Sequence, residues 1–267
     1  MLRIFALLVV VALVADGAIG IVLARTSDPP PPPLAAPVEP QYPDLGMAPL
    51  TNILVGHEQG GAIYLRFSAS IVNVGDDDLL VAAHRTMPFG NDWRVWQRVN
   101  DATGGYSERL TDATLEFAGD AHEHWHVARA EAHQLETMEG EVVASLVKTG
   151  FCFFDNLDYS PASPGAPPDV VHRAAACGER FHRDISMGLS VGWGDEYPWY
   201  LLGQTINITD IPAGRYRLRA IADPADWFVE TDEANNDTWT VVDLKTIDGA
   251  LQVEVVEQGP AAPVTTG

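Results

Sequence analysis

The sequence predicts a mainly β protein: a single β-sandwich-like domain with long loops, preceded by an apolar N-terminal export helix and a proline-rich linker. Three observations carry this. Alternating apolar and polar residues recur from Asp44 to about Glu257, separated by Gly, Pro and Asn turns. No convincing amphipathic helix longer than three turns stands out there, although residues 127–147 fit either a helix or strands. At 267 residues, 46% apolar and 20% charged, the chain has enough apolar side chains for a packed core and too few residues for more than two domains.

In chain order, residues 4–24 are almost uninterrupted apolar sequence, broken by Asp16 and Gly17 and followed by Arg25. This length lies between a long secretory signal and a short membrane span, so residues 1–26 read as a signal peptide or signal anchor. The protein is then exported, either secreted or held to the membrane by this segment alone with the domain outside. Residues 27–43 hold eight prolines. They lack the N–H groups a sheet needs and favour an extended polyproline spacer. Residues 44–258 form the domain, and 259–267 read as a disordered tail. Within the domain, 62–75 alternates Tyr64, Arg66 and Ser68 against Ile63, Leu65 and Phe67. Residues 215–223 alternate arginines against Tyr216, Leu218 and Ala220, and 238–244 is β-branched and aromatic. Turns fall at 73–75, 212–214 and 235–236.

The charge balance narrows the partners. Sixteen Lys and Arg against 37 Asp and Glu leave −21, which repels a phosphate backbone and excludes nucleic acid as a natural ligand. Such a surface gathers cations, whether metal ions, amines or lysine-rich proteins. The two cysteines, Cys152 and Cys177, are too few for a Cys-ligated zinc or iron–sulfur centre but enough for one disulfide, which persists outside the cytoplasm.

The sharpest local signal is His122, His124 and His126. On a strand this i, i+2, i+4 spacing puts three imidazoles on one face, within reach of one ion, and imidazole suits copper, zinc or nickel. His133, seven residues on, falls on the opposite face unless a turn intervenes, and reads equally as an ordinary polar histidine. Lys148 lies in an apolar run that favours its neutral, nucleophilic amine. Tyr197 follows Asp195 in a loop-like stretch. Glu230, Asp232, Asn235 and Asn236 place carboxylate and amide oxygens close together, a composition suited to Ca²⁺ and equally to a solvated turn.

Taken in order, these motifs resemble the catalytic domain of the lysyl oxidase family over about residues 44–243. The resemblance rests on 65–67 with 72–75, the H-x-H-x-H at 122–126, His133, Lys148 with Phe151-Cys152, Gly188-Leu189-Ser190 with Gly192, Asp195-x-Tyr197, and 206–210. It implies copper on His122, His124 and His126, and a lysine tyrosylquinone cofactor made from Lys148 and Tyr197. It implies oxidative deamination of a primary amine, peptidyl lysine included, with O2 as acceptor and an aldehyde, ammonia and hydrogen peroxide as products. His133 or Asp195 serves as the base. It also implies a structural calcium on the 230–236 loop and Asp44, with Leu45 contributing a carbonyl. Animal members carry more disulfides, and the proline-containing 155–176 segment is longer here, which bears on substrate access. Two rival readings come from other classes. An extracellular Ig-like binding module leaves the histidines unexplained, and a zinc hydrolase leaves Lys148 and Tyr197 unexplained. Visible absorbance after copper loading separates all three.

Overall fold

A computed structural model describes residues 39–118, 123–147, 150–201 and 203–265. The apolar segment 1–26, most of the linker, His122 and Lys148 lie outside the described residues. The described chain is mainly β. Every strand pairing is antiparallel, and the strands form several sheets without closing a barrel. The helical element among the described residues is a single 3-10 turn, Ala174–Cys177. The 127–147 stretch, which suited either state, resolves into the strands Trp125–Ala128, Glu131–Thr137 and Val142–Val147.

The spine is the Ile63–Asn73 strand. It pairs with Leu45–Met47 and Thr51–His57, and also with Trp193–Tyr197 and Thr205–Asn207. Its first half alternates as the sequence predicts, with Leu65 and Phe67 buried between half-buried Tyr64 and Arg66. From Ser68 onward both faces are covered, so the alternation of burial ends there. Each of the large apolar side chains contributes about 1.5–3 kcal/mol by leaving water.

The strand ends where Asn73 takes over the hydrogen bonding. Its amide oxygen accepts from the Asp44 and Gly75 N–H groups, and its nitrogen donates to the Asp77 and Leu189 carbonyls. Gly75 is required at this crossing: a Cβ there would lie 2.4 Å from the Asp44 nitrogen and 2.5 Å from the Pro43 carbonyl carbon.

A second sheet runs in the order Val142–Val147, Glu131–Thr137, Gly214–Ala222, Asp237–Ile247 and Ala250–Gln258. Tyr216, Leu218 and Ala220 face the core. The alternating arginines take carboxylates on neighbouring strands: Arg215 binds Asp243 through two contacts of 2.7 and 3.0 Å, and Arg219 binds Asp237 at 2.7 Å. A third sheet sets Asp184–Leu189 beside Leu79–His84 and Arg94–Asp101, with Pro40–Gln41 and Tyr106–Leu110 also pairing to the last. Strand pairing therefore begins at Pro40, inside the segment read from sequence as linker.

Ala262 and Thr265, in the segment read from sequence as a disordered tail, are likewise held. Ala262 is buried and its N–H donates to the Met47 carbonyl at 2.9 Å, while the Thr265 N–H donates to Ser160 Oγ. Cys152 and Cys177 form the disulfide, with Cα atoms 5.8 Å apart, and close the proline-containing segment at its base. Asp155 fixes the same segment from within by accepting from the N–H groups of Val171, His172 and Ser190 and from the Ser190 hydroxyl.

Candidate metal and catalytic site

A three-stranded sheet, Gly150–Phe151, Trp125–Ala128 and Leu115–Phe117, carries the described histidines. The strand expected to hold the whole triplet begins only at Trp125, because Glu123 adopts a left-handed backbone with φ of 47°. Of the two described triplet histidines, His126 sits on this strand. His124 precedes it, its carbonyl accepting from the Ala118 N–H at 3.0 Å.

Alternation still separates the side chains. Trp125 packs edge-on against Trp93 and Phe117, with its ring nitrogen donating to the Glu179 carbonyl. The buried Arg85 guanidinium lies over both tryptophan rings, at 4.4 Å from Trp125 and 4.7 Å from Trp93, and donates to the carbonyls of Gly90, Arg180 and His182. The anchored Trp125 leaves the histidines on either side to converge: the Nε2 atoms of His124 and His126 are 2.8 Å apart.

Two imidazole nitrogens this close are within hydrogen-bond distance of each other and also close enough to share one ion, for which imidazole suits copper, zinc or nickel. Gly150 makes room for it. A Cβ at 150 would come within 2.5 Å of His126 Cβ and 2.7 Å of the Val127 carbonyl oxygen. Among the described residues, no group of three His, Cys, Asp or Glu side chains is placed to hold one ion.

Tyr197 comes from the other side, on the Trp193–Tyr197 strand. It is 4% exposed, its ring centre 4.4 Å from Phe151 and 6.4 Å from His126, edge-on to the latter. Asp195, two residues earlier and so on the same strand face, is fully buried and accepts from Asn156 Nδ2 at 2.8 Å. Tyr197 had the look of a loop residue from sequence. It is instead a strand residue paired with Ala69.

His133 sits on Glu131–Thr137, opposite Ala220 and Leu146. Its Nε2 is 2.9 Å from Glu131 Oε1, both side chains are 0% exposed, and its ring meets Phe67 edge-on at 4.7 Å. Lys148 lies outside the described residues. Its described neighbours are Val147, whose backbone pairs with Ala132, and Gly150, which pairs with Ala128.

The oxygen-rich loop is assembled with the start of the domain. Leu45 N–H donates to Glu230 Oε2, Asn236 Nδ2 to Glu230 Oε1 at 3.3 Å, and Asn235 Nδ2 to Asp44 Oδ1 at 2.9 Å. Asp232 is exposed and accepts from the Ala234 N–H. The amide oxygens of Asn235 and Asn236 are buried without a hydrogen-bond donor. Burial pushes the Glu230 carboxyl up to about 9, with the charges of Glu233 and Asp223 adding to it. Burial also raises Asp44, and the charges of Asp232 and Asp76 act in the same direction. Orphaned oxygens beside carboxylates that resist ionisation fit a hard divalent cation.

Sequence reasoning missed Glu131 and Asn156. Glu131 was accessible, since i−2 on a strand shares His133's face. Asn156 was not, because it meets Asp195 across 39 residues of chain.

Converging imidazoles beside a buried phenol place the molecule among β domains with a candidate metal site. The family model described as lysyl oxidase matches residues 97–247. Over 173 residues the chain is 27% identical to mouse (Mus musculus) lysyl oxidase homolog 4; the match covers 64% of this chain and 17% of the mouse protein's length. The chain belongs to the lysyl oxidase family.

Proposed function

We propose that the protein is a copper-dependent amine oxidase converting RCH2NH2, O2 and water into RCHO, ammonia and hydrogen peroxide, with primary amines and peptidyl lysine as the substrate class. The observation that carries this is the 2.8 Å convergence of His124 and His126 Nε2 with the buried Tyr197 ring alongside. His122 would complete the copper ligands, and Lys148 would join Tyr197 as lysine tyrosylquinone. When bound, the copper and cofactor supply the electron sink that passes two electrons from amine to O2.

The chain's own residues do the rest. Phe151 and the strand pairing to Ala69 hold the Tyr197 ring in place and out of water. Asp195 takes the substrate's α-proton: it shares Tyr197's strand face and is buried. His133 is the weaker candidate for that role, because its ring is taken up by Glu131 and Phe67. The chain's net negative charge of −21 favours the approach of cationic amines.

Three further assignments belong to this proposal. Calcium on Asp44, Leu45, Glu230, Asp232, Asn235 and Asn236 ties the first strand to the late loop. Residues 1–26 export the chain, by a cleaved signal or a membrane anchor, with the domain outside. Residues 44–258 are the catalytic domain.

The test is to load the purified protein with copper under air. A peptide map then looks for a Lys148–Tyr197 cross-link, and hydrogen peroxide release is followed with a primary amine. An absent cross-link together with no visible absorbance refutes the reading.

A further inference from the structure

We infer that Asn156 is a positioning residue that orients the Asp195 carboxylate for proton abstraction. The inference rests on the reading of Asp195 as the base.

Asn156 opens the short Leu157–Asp158 strand, which pairs with Gly194 and Trp193, and its own N–H donates to the Gly194 carbonyl at 3.0 Å. The side chain then runs along the neighbouring strand and uses both ends of its amide. Nδ2 donates to Asp195 Oδ1 at 2.8 Å and to the Glu196 carbonyl at 3.3 Å, while Oδ1 accepts from the Glu196 N–H at 2.6 Å.

These partners determine which end is which. A backbone N–H can only donate, and a carbonyl or ionised carboxylate can only accept, so the amide has one allowed orientation. The clamp is itself braced, because adjacent Asp155 is buried and accepts four hydrogen bonds from 171, 172 and 190. Asn156 thus fixes one oxygen of Asp195 and the main chain at 196, between the proposed base and Tyr197. A base displaced by about 1 Å from its reaction geometry loses on the order of 10²-fold in rate, so a residue that only steers it is visible in turnover.

Asn156→Asp separates steering from support. It keeps the oxygen that accepts from Glu196 but replaces the donor facing Asp195 with a second carboxylate oxygen. Asn156 is solvent-exposed, and the melting temperature of the variant checks that the fold is kept. The substrates are n-butylamine and its α,α-dideuterated form. Copper content and cross-link yield should match wild type. We expect kcat to fall roughly 10- to 100-fold with KM within about threefold, and the deuterium isotope effect on kcat to rise because C–H cleavage becomes more rate-limiting.

Asn156→Gln, which carries both groups on a longer arm, should recover part of the rate. If Asn156→Asp lowers the melting temperature, the Gln variant decides: a raised isotope effect that is smaller than in the Asp variant supports positioning, and a wild-type isotope effect in both overturns it. Asp195→Asn separates the two levels. Wild-type turnover in Asp195→Asn removes the base itself, whereas an inactive Asp195→Asn beside a wild-type-like Asn156→Asp removes only the positioning role.

Discussion

Glu230 accepts a hydrogen bond from the backbone N–H of Leu45, 185 residues earlier in the chain. Its carboxyl is buried so deeply that burial holds it protonated up to about pH 9, against an ordinary value of 4.5, while neighbouring Asp223 is raised to about 6. A carboxyl raised in the folded state stabilises the fold below its unfolded value, and that contribution is lost as pH climbs toward the folded value. In chelator, the melting temperature should therefore fall between pH 5 and pH 8. Calcium should restore it at pH 8, because the cation replaces the proton. Glu230→Gln should flatten the chelator profile and remove the calcium response. A melting curve indifferent to calcium at pH 8 would favour a turn of solvated polar residues.

Gly150→Ala tests the packing behind His126. The added methyl would sit 2.5 Å from His126 Cβ and 2.7 Å from a main-chain oxygen, so the histidine strand has to move. Copper affinity should fall about 10- to 100-fold, on the scale of disturbing a ligand's support rather than the ligand. Replacing His124 or His126 by Ala should cost more. Competition against a copper chelator measures all three, and Gly150→Ala with wild-type affinity would contradict the close approach.

Lys148→Ala and Tyr197→Phe should each abolish amine oxidation while leaving copper bound to the histidines. The double variant should be no worse than either single one, because both remove one cofactor. Hydrogen peroxide release with a primary amine under air reads this out, and retained turnover in Lys148→Ala would sink the cofactor assignment.

Free-thiol counting on denatured, unreduced protein should find no thiols, since Cys152 and Cys177 are joined. Closing a loop of 25 residues contributes about 3 kcal/mol. Cys152→Ala/Cys177→Ala should accordingly lower stability to denaturant by about that amount, and an unchanged unfolding midpoint would contradict it.

What the sequence made legible was local and periodic. The arginines at 215, 217 and 219 announced a half-buried strand because their apolar neighbours alternate with them. The histidine triplet announced a candidate metal site because its spacing is unusual. The left-handed Glu123 that delays the strand was not legible, since nothing in its side chain demands positive φ. Tyr197 looked like a loop residue because Gly194 and Pro198 flank it, and only pairing with the Ile63–Asn73 strand extends it. The Asn156–Asp195 contact had no local signature at all.

The docking of Ala262 has a consequence for how unfolding is observed. Amide hydrogens outside the sheet ladders ordinarily exchange almost freely, through local openings that cost next to nothing. Ala262 lies outside the described strands, yet its N–H is bonded to Met47, on a strand paired with the central Ile63–Asn73 strand, and its side chain is buried against Val72 and Ala48. That amide is therefore placed to exchange with the slow class set by the domain as a whole, which makes one hydrogen outside the sheets a gauge of global opening.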